Sequence, residues 1–161
     1  MSAKIVDIKK DRLRYINNKT SANLMYVAIL FNVLYFVNIY QTDVNNYYYS
    51  ITIGCSVLCN LMFLLIAFLS SEGLKNYKLN YSYVVMGLGV LQLLRILGIP
   101  TMAHNTLTVL NGVERMVMTN GQYMYVIGCL VLSAAACFAA GVIGYKKTTT
   151  LTNYKKENGL D

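Results

Sequence analysis

Four long apolar runs, held apart by short polar segments, limit what this chain can fold into. They cover residues 23–40, 50–69, 81–99 and 123–145. Each is near the ~20 residues that an α-helix needs to cross ~30 Å of hydrocarbon. None alternates polar with apolar residues, and lipid offers no partners to a backbone, so strands give way to helices. Of the 161 residues, 56% are hydrophobic and only 13% charged. That is too little charge to coat a soluble globule of this size. The expected fold class is therefore an all-α integral membrane protein, a four-transmembrane-helix bundle. Residues 1–20 form a basic arm, 21–145 the transmembrane domain and 146–161 a basic tail that opens on a threonine run and reads as mobile.

Orientation follows from Lys and Arg. Six precede the first run (Lys4, Lys9, Lys10, Arg12, Arg14, Lys19). Lys75 and Lys78 lie between the second and third, and Lys146, Lys147, Lys155 and Lys156 follow the fourth. The opposite loops hold only Arg115. This positive-inside asymmetry predicts both termini in the cytoplasm, N-in and C-in, in the cell membrane. The net charge of +7 then serves contact with anionic lipid headgroups rather than nucleic acid. Tyrosines gather near the run ends, including Tyr40, Tyr47, Tyr77, Tyr81, Tyr123 and Tyr145, as an interfacial aromatic belt requires. The first run, with no cleavage site after it, reads as an uncleaved signal anchor.

The second outer loop, residues 100–122, exceeds a simple turn. Pro100 is expected to end the third span. Beyond it Leu107, Leu110, Val113 and Val117 recur at near-helical spacing, which predicts a short interfacial helix. Gly112 weakens that helix.

Arg95 is the one charge well inside a run. An intramembrane arginine costs at least ~2.5–3.5 kcal/mol at mid-span and marks a candidate site. It stands five residues before Pro100, ~7.5 Å from the helix end, so its stem can snorkel outward. Gln92 lies one turn deeper on the same face. Asp43 and Glu114 are the candidate outer-side acid partners. Asn32, Asn38 and Asn60 are the remaining intramembrane polar groups, suited to interhelical hydrogen bonds. In the fourth run Ser133, Cys137 and Gly141 repeat every fourth residue, as do Ala136, Ala140 and Gly144. Such small-residue ridges let backbones approach closely. Gly87 and Gly89 read as packing positions in the third span.

Cys55, Cys59, Cys129 and Cys137 include no C-x-x-C pair, so they read as small packing residues rather than metal or redox ligands. His104 reads as a solvated loop residue. No Ser–His–acid set, carboxylate pair or phosphate-cradling glycine motif is present, and no cofactor is implied. The abundance of Ile, Asn, Lys and Tyr suggests an AT-rich bacterial genome. The expected role is non-catalytic: an accessory or assembly subunit of a larger membrane complex such as a transporter. The alternative is a small self-associating transporter or channel using the Gln92/Arg95 face.

Overall fold

The computed structural model describes residues 8–39, 47–110 and 113–160. The end of the first run at Tyr40 and the candidate acid Asp43 lie outside them. A short helix, α1 (Ile8–Arg12), precedes the first long helix, α2 (Lys19–Ile39). Then come α3 (Tyr47–Lys75), α4 (Leu79–Ile96), a short α5 (Ile99–Asn105) and α6 (Asn120–Asn158). Four helices among the described residues are long and apolar enough to cross a membrane, α4 and α5 together making the third. The chain is a multi-pass bundle of antiparallel neighbours. Lys19, Lys75, Lys78 and Lys146 share one end, the basic end; the loop between α5 and α6 lies at the other.

α6 is the axis of the packing. It lies against both α2 and α4, while α3 packs mainly on α2 and meets α4 less closely. Water drives no association within lipid, so close contact has to come from small residues. Both ridges of α6 are buried: Ser133, Cys137 and Gly141 on one, Ala136, Ala140 and Gly144 on the other. A Cβ on Gly141 would lie 2.7 Å from Met86 Cγ and 3.1 Å from Ser82 O of α4. One on Gly144 would lie 2.6 Å from Leu74 Cδ2 of α3. It would also lie 3.0 Å from Ser82 Oγ of α4, so both ridges meet α4 at Ser82 and the second reaches α3 as well. Gly89 of α4 faces the Phe138 ring, 3.1 Å from a built Cβ, whereas Gly87 points into open space and packs nothing. Gly73 leaves room for the Tyr81 ring at the α3–α4 turn.

Pro100 does not simply end the third span. The α4 ladder closes at Leu97 and Gly98, and Pro100 sits in the first turn of α5, where its missing N–H leaves no bond unmade. Thr101 Oγ1 donates to Ile96 O (2.6 Å) across the break. The expected helix over Leu107–Val117 is replaced by an antiparallel hairpin, β1 (Leu107–Leu110) with β2 (Val113–Met116). Leu107 pairs with Met116 and Leu110 with Val113. Thr106, Thr108, Val109, Val113 and Val117 are β-branched and favour a pleated backbone. Asn111-Gly112 stands between them in the sequence, and that dipeptide is the strongest short hairpin signal.

The tail expected to be mobile is instead part of α6, which runs 39 residues from Thr119 to Gly159 between its caps. Thr119 forms a capping box with Gln122, and Gly159 closes the helix in the left-handed region at φ 63°, where glycine is unstrained. Thr148, Leu151 and Tyr154 are buried along the extension. α1 packs on it, with Tyr154 OH donating to Asp11 Oδ1 (3.4 Å).

Candidate functional site

Each long helix contributes a polar side chain to one level of the bundle. α2 brings Asn32, α3 Asn60, α4 Gln92 and Arg95, and α6 Ser133. Asn32, Asn60, Gln92 and Ser133 are fully buried. In an apolar interior such groups must find partners in one another. Gln92 Nε2 donates to Asn32 Oδ1 (3.0 Å) and to Ser133 Oγ (2.9 Å). Ser133 Oγ donates in turn to Ala28 O (2.9 Å). Arg95 Nη1 donates to Asn32 Oδ1 (3.0 Å) and to Gln92 Oε1 (2.9 Å), and Nη2 donates to Asn60 Oδ1. The guanidinium carbon also lies 4.6 Å from the centroid of the buried Tyr35 ring, a favourable cation–π distance.

The structure therefore turns Arg95 inward instead of letting it snorkel. Its partners are neutral amides, not acids. The ion pairs Arg14–Asp11 and Lys75–Glu72 do not include Arg95. Glu114 is exposed on β2, and Asp43 lies outside the described residues. Of the five candidate polar residues, four converge. Asn38 does not: its amide donates to Leu34 O (3.0 Å) within its own helix. Gln92 is enclosed between α2 and α6, where it bonds Asn32 and Ser133.

The hydrogen-bond inventory is lopsided. Every side-chain oxygen in the cluster already accepts a bond. Asn32 Nδ2 is buried with no acceptor, and three of the five guanidinium N–H groups are engaged. Because Asn32 Oδ1 accepts twice, its amide cannot be turned over without losing both bonds. The centre is thus positively charged and rich in donors.

Two openings adjoin it. A cavity of about 380 Å³ between α3 and α4 is walled by Met62, Phe63, Ile66, Leu88 and Leu91, with Arg95 at one end. A second, of about 190 Å³, lies on the hairpin side of Arg95 against Tyr35, Cys55 and Ile99. Cys55 and Cys59 are exposed on α3, so only Cys129 and Cys137 are buried packing residues.

Tyr35 and the bonding role of Ser133 escaped the sequence reading. Ser133 was visible only as a small residue on a ridge. Tyr35 follows Asn32 by three positions and so shares its face, which is the signal that could have found it. His104 is not a solvated loop residue either. It lies in α5 stacked on Tyr123, centroids 4.3 Å apart at 10°.

At the basic end Asn18 caps α2, its Oδ1 accepting from Ser21 N (3.5 Å) and its amide donating to Ser21 Oγ (2.8 Å). Lys147 Nζ donates to Asn18 Oδ1 (3.0 Å), tying α6 to that cap. Tyr77, at φ 54°, donates its hydroxyl to Ile16 O (2.8 Å). Burial raises the pKa of that phenol. Searches against protein-family models, curated proteins and solved structures find no match for this chain.

Proposed function

We propose that the chain is a non-catalytic subunit of the cell membrane, with both termini cytoplasmic, that serves a larger membrane complex such as a transporter as an accessory or assembly component. The observation that supports this most is the uneven cover of α3. This helix is 29 residues long, ~43 Å at 1.5 Å per residue. From Ile51 to Cys59 no described side chain is buried; burial begins at Asn60. Leu58 is 63% exposed and Leu61 54%. Half of a long helix is left for other hydrophobic matter to cover. The polar centre, meanwhile, binds the four helices to one another. Ser133 donates to a backbone carbonyl rather than to a base, an arrangement suited to holding a framework. The alternative is a small self-associating transporter or channel using the Gln92/Arg95 face, of which Gln92 is enclosed and Arg95 half-buried.

Photo-crosslinking from position 58 in native membranes tests the reading. A discrete adduct with another membrane protein is the expected result, and it is lost when Leu61 is replaced by Trp. Adducts with lipid alone, or only with a second copy of the chain, would overturn it.

A further inference from the structure

We propose that the cavity between α3 and α4 binds a long-chain carboxylate, with the carboxylate on Arg95 and the hydrocarbon along Met62, Phe63, Ile66, Leu88 and Leu91. Three observations converge on this chemistry. The first is the donor excess. The oxygens around Arg95 already accept bonds, and the guanidinium, which lines the cavity, has N–H groups beyond the three engaged. A ligand that completes the centre has to bring acceptor oxygens.

The second is charge. Arg95 carries a full positive charge on neutral amide oxygens, inside an apolar helix, with no ion pair among the described residues. An isolated charge in this setting is stabilised by a counter-ion far more than it would be in water. A guanidinium also offers a planar fork matched to a carboxylate.

The third is shape. The cavity starts at Arg95 and follows α4 back through Leu91 to Leu88, two helical turns or ~10 Å. Its volume, about 380 Å³, falls in the range of small-molecule sites, and such sites occur between the helices of bundles. Phe63 and Leu88 close its floor, being 5% and 4% exposed, while Met62 and Leu91 at its rim are 62% and 54% exposed. A chain can therefore enter sideways from the bilayer. Beyond Arg95 lies a more open space of about 190 Å³ against Tyr35, Cys55 and Ile99. The planar guanidinium fork there matches the two oxygens of a carboxylate, and the comparison with phosphatidylglycerol below separates it from a phosphodiester head.

The test uses the full chain in neutral phosphatidylcholine nanodiscs, with oleate, methyl oleate and phosphatidylglycerol each added as the probe and binding read by native mass spectrometry. Saturable oleate binding is expected, with methyl oleate and phosphatidylglycerol at least about tenfold weaker, the size of effect that follows from losing a charge-assisted bond. Arg95→Gln should weaken oleate by a similar factor. Should that variant fold poorly, Leu91→Trp fills the groove without touching the Arg95 bonds, and it should abolish oleate binding with an unchanged melting temperature. Equal binding of oleate and its methyl ester, oleate binding indifferent to both substitutions, or phosphatidylglycerol binding as tightly as oleate would each overturn the assignment.

Discussion

At the scale of single residues, the centre of the bundle is a problem in matching donors to acceptors. Asn60 Oδ1 receives Arg95 Nη2, so Asn60→Asp changes almost no shape but places a carboxylate where the amide oxygen stood. The new ion pair keeps the hydrogen bond and neutralises the guanidinium. Removing one member of a buried pair is strongly destabilising, but here both members are present. Oleate affinity is predicted to fall about tenfold or more in this variant, read by the same mass-spectrometric titration. A large loss of stability would show that Asn60 acts through its amide hydrogens instead. Gln92→Leu should behave differently. It takes a donor from Asn32 and Ser133 and an acceptor from Arg95, at ~1–3 kcal/mol, read as a lowered melting temperature. The sequence shows that Arg95 and Gln92 share a face and that Asn32 and Asn60 are intramembrane. It does not show that the four meet. Position along a helix is legible from counting, but the rotation of one helix against another is set by packing, and Asn38 satisfies itself locally while Asn32 does not.

At the scale of elements, small residues and turn chemistry decide the outcome. Gly141→Leu would drive a side chain into Met86 and the Ser82 carbonyl, 2.7 and 3.1 Å from a built Cβ. Overpacking of this kind costs ~1–3 kcal/mol. Gly87→Leu, with nothing within 4 Å, is the control and should melt with the parent chain. Both ridges of α6 were readable from spacing alone because close backbone approach demands small side chains wherever the neighbour lies. The hairpin is less legible, because Leu107, Leu110 and Val113 also fit near-helical spacing, and only β-branching and the Asn111-Gly112 dipeptide favour strands. The tail departs from expectation for a related reason. Its charges suggest a solvated coil, yet Thr148, Leu151 and Tyr154 recur every third residue and are buried, which carries α6 past its apolar length. Tyr77 ties the segment before α2 to the α3–α4 turn. Because burial raises its pKa, the protonated phenol is the form that the fold favours. This contribution is complete below the ordinary tyrosine pKa of ~10 and is lost as pH rises through the raised value. Tyr77→Phe should lower stability by ~0.5–1.5 kcal/mol at neutral pH and flatten the alkaline arm of the melting profile.

At the scale of the whole molecule, the fold gathers the charges without saying which side of a membrane they face. Hydropathy made the four crossings legible, since a run of apolar residues has few other uses. The contacts of α1 with α6 and of Lys147 with Asn18 draw Arg12, Arg14, Lys19, Lys75, Lys78, Lys146 and Lys147 to one end. Each lysine or arginine near an anionic leaflet contributes about 1 kcal/mol of attraction. The hairpin end, by contrast, has Arg115 with Glu114 beside it. Turning the molecule over would move the whole basic cluster across the membrane during insertion, against the bias that sets topology. Single cysteines at Glu114 and at Thr152, both exposed in the structure, separate the two orientations when placed in a chain whose four native cysteines are replaced by Ala. A membrane-impermeant maleimide applied to intact cells should label position 114 and reach position 152 only after permeabilisation. Labelling of position 152 in intact cells, with position 114 protected, would reverse the orientation and put the Arg95 centre nearer the cytoplasmic leaflet. A long-chain carboxylate would then have to reach its groove from that side.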